Sequence, residues 1–241
     1  MRRGLSDSRT QACEAIDTGR VLVNGTVADK ASRQVDPGDA IVIEGPPPRF
    51  VSRGGEKLDG ALATFGIDVA GRRVLDAGAS TGGFTDCLLQ RGAATVVAAD
   101  VGHGQLHPRI RNDDRVVVLE RFNVRSMQAA DIGGLVDAVV ADLSFISLKR
   151  VIAALVSVCV DGAPLVLLVK PQFEAGRQEV SRGKGVITDP AIHDRVLAEV
   201  AEAIEAQGCT IAGWTTSSLT GADGNREFLV HATAARQGSQ P

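Results

Sequence analysis

Five unbroken apolar runs, Val74-Leu75, Val96–Ala99, Val116–Leu119, Ala138–Ala141 and Leu165–Val169, recur between stretches of helical periodicity. A strand that is apolar at every position is buried on both faces, as in a parallel sheet covered by helices on each side. The alternation therefore predicts an α/β doubly wound sheet. Two later runs, around Ile211–Trp214 and Phe228–Val230, follow a helix at about 190–207 and would extend the sheet to seven mostly parallel strands.

The N-terminal part reads differently. Ser6–Arg20 is a short helix with Ala12, Ala15 and Ile16 on one face and Gly19 as its stop. Val21-Leu22-Val23 and Val27 flank Asn24-Gly25, a pair that accepts positive φ at both positions, so a hairpin is predicted. A further strand, Ala40–Ile43, follows the turn Asp36-Pro37-Gly38-Asp39. Gly45-Pro46-Pro47-Pro48 then stiffens the backbone, because consecutive prolines join neither a helix nor a central strand. The expected organisation is a small α+β module over 1–45, a linker over 46–54, an α/β domain over 55–235 and a frayed tail over 236–241. The α/β domain opens on a helix at about 55–65, with Leu58, Ala61, Leu62 and Phe65 on its apolar face. The segment RRGLSDSRTQACEAIDTGRVLVNG, with the turn and strand after it, resembles the S-four-type RNA-binding domain named after a ribosomal protein. That resemblance implies a helix presenting Arg3, Arg9 and Arg20 to RNA phosphates, with Lys30 and Arg33 adding to the surface. A solvated helix with scattered arginines is the plain alternative. A further helix precedes RRGL in that family, so the module is expected to be truncated here.

The first strand of the larger domain ends at Asp76 and enters a glycine-rich turn, Gly78-Ala79-Ser80-Thr81-Gly82-Gly83-Phe84. Such a turn brings backbone close to a ligand at the carboxyl edge of the sheet. The spacing fails the GxGxxG pattern of dinucleotide-binding proteins. Asp100 closes the second strand, where a carboxylate accepts hydrogen bonds from both hydroxyls of a ribose. The row DAGASTGGFT together with Asp100 resembles class I, Rossmann-like methyltransferases, and ADVGHGQL resembles their TlyA/FtsJ-like branch. The resemblance implies S-adenosyl-L-methionine as cofactor. Gly78, Ser80, Gly82, Gly83, Phe84 and Asp142 would line its pocket, Asp100 and Val101 would hold the ribose, and Asn123 and Val124 would line the adenine.

The fourth strand runs into Asp142-Leu143-Ser144-Phe145 and the fifth into Lys170-Pro171-Gln172-Phe173-Glu174, both at the edge that holds the glycine turn. A lysine directly after Leu-Leu-Val is costly to bury unpaired, and Asp142 is its expected partner. From strand ends alone a structural ion pair is an equal reading. Ser52–Leu58 and Gly224–Leu229 resemble the remaining parts of the Lys-Asp-Lys-Glu set of FtsJ-like ribose 2′-O-methyltransferases, which implies Lys57, Asp142, Lys170 and Glu227 as catalytic residues. A ribose 2′-hydroxyl is a poor nucleophile whose proton must be withdrawn while it is aimed at the methyl group. A lysine accepts that proton only when neutral, and bringing an amine from about 10.4 to about 7.5 corresponds to roughly 4 kcal/mol. On this reading Lys170 orients the hydroxyl and accepts the proton, Asp142 positions Lys170, and Lys57 with Glu227 anchors the ribose. Phe145 and Phe173 would stack on a base or pack in the core. Arg177, Arg182 and Lys184, among Gly176, Gly183 and Gly185, read as a mobile loop able to clamp RNA phosphates, or as a plain exposed loop.

The resemblance to the TlyA-type family runs from RRGL to GNREFL and implies cytidine 2′-O-methylation in ribosomal RNA of one or both subunits, linked to susceptibility to capreomycin-type antibiotics. Two alternatives stand beside it. An exocyclic-amine nucleic-acid methyltransferase would carry an Asp/Asn-Pro-Pro-aromatic motif, and Asp142-Leu143-Ser144-Phe145 lacks both prolines. A haemolysin-like membrane-active protein would need an amphipathic, strongly cationic or spanning segment, which is missing. With 44% hydrophobic and 23% charged residues and no apolar signal segment after Met1-Arg2-Arg3-Gly4, the chain reads as soluble and cytoplasmic. The formal net charge of -3 offers no overall attraction to nucleic acid, so RNA binding must come from local patches. Cys13, Cys87, Cys159 and Cys209 form no CxxC pair and are expected as buried free thiols. His103 and His107 lack an acidic or cysteine partner at ligand spacing, and no metal is expected.

Overall fold

The computed structural model describes residues 3–6, 9–17, 19–28, 30–46, 48–221 and 223–234. The expected tail at 236–241 lies outside the described residues. The chain divides into two compact units, Met1–Ser52 and Arg53–Pro241. Among the described residues no helix is long and apolar enough to cross a membrane.

In the first unit a helix, α1 (Arg9–Asp17), packs on a three-stranded antiparallel sheet of β1 (Val21–Val23), β2 (Thr26–Val27) and β3 (Ile41–Ile43), with β1 in the centre. The helix is shorter than the pattern predicts. Gly19 in the left-handed region turns the chain, its N–H bonding to the Ile16 carbonyl. Asn24 (φ 52°) and Gly25 (φ 77°) make the expected hairpin turn, in the register Val23↔Thr26. Asn24 also accepts from the Ala40 N–H and donates to Asp39, pinning β3 beside the hairpin. The core is small: Ala15, Val21, Val23 and Ala28, with Ile16, Ile41 and Ile43 against it.

The second unit is the doubly wound sheet that the apolar runs predict. Its elements are α2 (Gly54–Phe65), β4 (Arg73–Ala77), α3 (Gly83–Gln90), β5 (Thr95–Ala99), α4 (Pro108–Arg111), β6 (Val116–Leu119), β7 (Ala138–Ala141), α5 (Ile152–Ser157), β8 (Pro164–Val169), α6 (Pro171–Glu174), α7 (Arg177–Arg182), α8 (Pro190–Glu205), β9 (Thr210–Thr216) and β10 (Phe228–Thr233). Sheet order is β6-β5-β4-β7-β8-β10-β9. The five strands β4 to β8 are parallel, and β10 runs antiparallel to both β8 and β9. β7 is buried at every residue, and β4, β5 and β8 at every residue but the first, which is why they carry no alternation; β6, at the edge of the sheet, is only half-buried with Val117 exposed, contrary to the burial on both faces that its apolar run predicts. On α2, Leu58, Ala61 and Leu62 are buried, and the half-buried Phe65 ring lies 5.4 Å from His231.

The stretch read as a mobile loop at 177–185 is instead headed by a helix, α7. Glu179 accepts from the Gly176 N–H at its own N-terminus, and Arg195 of α8 donates to both Glu179 oxygens at 2.6 and 2.8 Å. The stabilising partner comes from α8, so glycine spacing alone was a poor guide. None of the four cysteines is in a disulfide among the described residues; Cys87 and Cys209 are buried, whereas Cys13 and Cys159 are half-buried. Burial still pushes the Cys159 thiol up to about 12.

Candidate active site

Parallel strands deliver their carboxyl ends to one edge, so β4, β5, β7 and β8 bring the glycine turn, Asp100, Asp142 and Lys170 together there. β10 runs the other way, and its register Phe228↔Val169 places Glu227 opposite Lys170. One edge thus collects residues from five separate segments.

At the glycine turn, Asp100 accepts from the N–H groups of Ser80 (2.9 Å) and Gly102 (2.6 Å), tying the turn to the end of β5. Two glycines of the turn answer to the protein's own packing. A Cβ on Gly78 would sit 2.4 Å from the Asp142 carbonyl oxygen, and Gly82 holds φ 95° against Leu106 and Ile110. Gly83 and Phe84 are buried in the first turn of α3. Val101 is exposed. Asn123 caps the turn Val124–Ser126 by accepting from the Arg125 N–H, while the Val124 side chain belongs to the core. Beside Asp100 is a cavity of about 10 Å³, lined by Gln105, Leu106 and Leu119 among others, and Gln105 leans over Gly102.

Further along the edge the four residues expected to be catalytic form two ion pairs. Lys57 Nζ donates to Glu227 Oε2 at 2.5 Å, with side-chain exposures of 10% and 3%. Lys170 Nζ lies 2.6 Å from Asp142 Oδ1, an ionic contact rather than an aligned hydrogen bond, and donates to Ser144 Oγ at 2.9 Å. Asp76, at the heart of β4, accepts from Thr85 Oγ1 at 2.6 Å and has a second oxygen without a partner among the described residues. Burial pushes its carboxyl up to about 7, against the pull of Thr85 and helped by the Asp142 charge.

A trough of about 750 Å³ is walled by residues that follow the two strand ends, Phe145 to Ser147 and Gln172 to Glu174. Phe145 stands in its wall, 92% exposed, with φ 64°, and its ring is 5.2 Å from that of Phe173. Core packing is therefore excluded for Phe145. Lys170 Nζ is 5.8 Å from the Phe173 ring centre. Val180 and Ser181 of α7 line the trough as well, as does Gln172, whose carbonyl oxygen is buried without a partner among the described residues. Arg182 and Lys184 are exposed at the end of α7, and the Arg177 side chain lies outside the described part.

The candidate RNA contacts of the first unit divide in two. Arg3 donates to the carbonyls of Asp36, Pro37 and Asp39, Arg20 to those of Glu44 and Pro46, and Arg33 to that of Val27. These arginines fasten turns. Arg9 and Lys30 are exposed, and no ion pair engages them among the described residues.

Residues 50–234 match the FtsJ-like methyltransferase family, and residues 2–41 match the S4 domain. The chain belongs to the FtsJ-like methyltransferase family. It is 52% identical over 231 residues to the 16S/23S rRNA (cytidine-2′-O)-methyltransferase TlyA of Mycobacterium tuberculosis, covering 95% of this chain and 86% of that protein. It is 41% identical to Hemolysin A of Brachyspira hyodysenteriae, with 95% of each covered. Among solved structures it is similar to a putative hemolysin from Streptococcus thermophilus, at TM-score 0.80 and 41% identity, covering 97% of this chain and 86% of that one.

Within this FtsJ-like site, the sequence already sets Asp76 at the head of the glycine turn, but it assigns no role to Glu174 or Asn225. Glu174 accepts from Leu148 N at 2.7 Å and from Ser147 Oγ, and burial holds its carboxyl above the usual range. Asn225, 1% exposed, accepts from Ile187 N and donates to the Gly185 carbonyl, both at 2.9 Å. Their partners are 26 to 40 positions away.

Proposed function

We propose that this chain transfers a methyl group to the 2′-hydroxyl of a cytidine ribose in ribosomal RNA, acting in the cytoplasm. The observation that carries the reading is the pairing of Lys170 with Asp142 beside the trough under Phe145, with the buried Lys57–Glu227 pair at the same sheet edge. The similarity to TlyA supports ribosomal RNA as substrate and cytidine as target.

The donor end fits S-adenosyl-L-methionine. Asp100 stands at the end of β5 with the glycine turn bound to it, where its carboxylate would take the ribose hydroxyls, and the partnerless Asp76 oxygen faces a need for a donor group. Gly78, Ser80, Gly82, Gly83 and Asp142 would surround the rest of the cofactor, with Val101 beside Asp100 at the ribose and Asn123 toward the adenine. When bound, the cofactor supplies an electrophilic methyl group. Gln105 lies over Gly102 beside this position.

Lys170 receives the hydroxyl. Its amine, held by Asp142 and Ser144, orients the oxygen and, once it has released its own extra proton to solvent, takes up the hydroxyl proton as the oxygen attacks the methyl group. Lys57 and Glu227 fix the sugar. Phe145 offers an open ring face on which the target base stacks, so that the ribose turns toward Lys170. Arg9 and Lys30 in the S4 unit, with Arg182 and Lys184 beside the trough, meet phosphates, while Arg3, Arg20 and Arg33 keep the S4 turns in shape.

The test is to incubate labelled donor with each ribosomal subunit and map the modified nucleotide. Lys170→Ala is expected to lower the rate by about 10²-fold or more while donor binding stays unchanged. Full methyl transfer by that variant, or a methyl group found on a base amine, would overturn the reading. Loss of the activity in cells is expected to reduce susceptibility to capreomycin, and lysis of liposomes by the purified protein would favour a membrane-active reading instead.

A further inference from the structure

β7 and β8 pair in parallel as far as Ala141↔Leu167. Beyond that point no backbone hydrogen bond among the described residues joins the segment leaving β7, 142–148, to the segment leaving β8, 170–175. These are the two segments that carry Asp142 and Lys170. A sheet edge leaves them free to splay, so side chains must hold the spacing.

Side-chain bridges of three kinds do so. Lys170 makes the first, to Asp142 and Ser144, but this is the amine that changes partner when it takes up a proton. Phe145 and Phe173 make the second, and the Phe145 ring is almost wholly in solvent. The third is Glu174. It lies at the end of α6, is buried, and engages both carboxylate oxygens on the β7 side, one with Leu148 N at 2.7 Å and the other with Ser147 Oγ. Nothing in this bridge turns over during the reaction. We propose that Glu174 is a positioning residue, a strut that keeps the Asp142 segment and the Lys170 segment in register while Lys170 exchanges its own partners.

The proposal rests on Lys170 being the group that meets the hydroxyl. It identifies the strut with hydrogen bonding rather than with charge. A glutamine keeps both contacts with one reversed: its amide oxygen accepts from Leu148 N, and its amide nitrogen donates to Ser147 Oγ, whose own hydroxyl hydrogen turns to solvent. An alanine leaves both partners without it.

The experiment compares Glu174→Ala, Glu174→Gln and Lys170→Ala in the full chain, measuring kcat and KM with ribosomal RNA and donor Kd by calorimetry. Glu174→Ala is expected to lower kcat by about tenfold or more, with donor Kd unchanged within about twofold, because misplacement of reacting groups acts on the rate. Glu174→Gln is expected to stay within about threefold of the parent. A normal kcat for Glu174→Ala, or a glutamine variant as slow as the alanine, overturns the strut. If Glu174→Ala does not fold, Ser147→Ala removes one of the two bonds, and a normal kcat for that folded variant also overturns it. Full activity of Lys170→Ala overturns the underlying assignment, whereas an inactive Lys170→Ala beside a normal Glu174→Ala removes the strut alone.

Discussion

Asp76 shows how a single residue couples stability to the site. Its side chain is completely buried in β4, with Thr85 as its partner, and burial raises its carboxyl from the ordinary range to about 7. The raised value means that folding favours the protonated acid. This residue's contribution to stability is therefore most favourable below its unfolded value of about 3.9, declines as pH rises toward 7, and levels off above that. Asp76→Asn keeps the shape without the charge. It should flatten the decline, with a difference of the order of a few kcal/mol by neutral pH. Melting temperatures of both proteins between pH 5 and 8 would show it, and parallel curves would refute it. At this scale Lys170 was legible because a charge directly after Leu-Leu-Val is conspicuous. Its contact with Ser144 was not, since hydrogen-bond partners 26 residues apart leave no local trace.

Among the elements, α7 is the one whose existence and place depend most on others. Its six residues contain a single apolar side chain, Val180, so no helical stripe announces it. It is held from outside. Arg195 of α8 bridges Glu179 and Glu199, and Glu199 in turn takes a bond from Lys149 at 2.6 Å. The turn after it is clamped by Asn225 and by His193, whose ring nitrogen lies 3.0 Å from the Ile187 carbonyl oxygen. Asn225→Ala would leave the Ile187 N–H and the Gly185 carbonyl without their partner. A stability loss of about 1–3 kcal/mol is expected, together with faster amide exchange over 183–188. Unchanged exchange there would mean that the clamp is idle. The exposed ion pairs of Arg195 contribute little by comparison, about 1 kcal/mol or less.

For the whole molecule, the formal net charge of -3 leaves RNA attraction to local cations. The salt dependence of binding should therefore report individual residues. Replacing Arg9 and Lys30 together with glutamine is expected to reduce the slope of log K against log salt by roughly 1.4 to 1.8, about 0.7–0.9 per lost phosphate contact. An unchanged slope in a titration with ribosomal RNA would place the contacts elsewhere. The sequence by itself determined the sheet, because a parallel strand buried on both faces must be apolar throughout, and it determined the glycine turn and the hairpin, because left-handed backbone selects glycine and asparagine locally. Only the tertiary structure decided that Glu227 stands opposite Lys170, that Phe145 is bare, that α7 is a helix, that Arg3 and Arg20 serve turns, and that Glu174 braces the edge. Each of those depends on contacts between segments far apart in the chain, and periodicity carries no record of which side chains the fold will bring within reach.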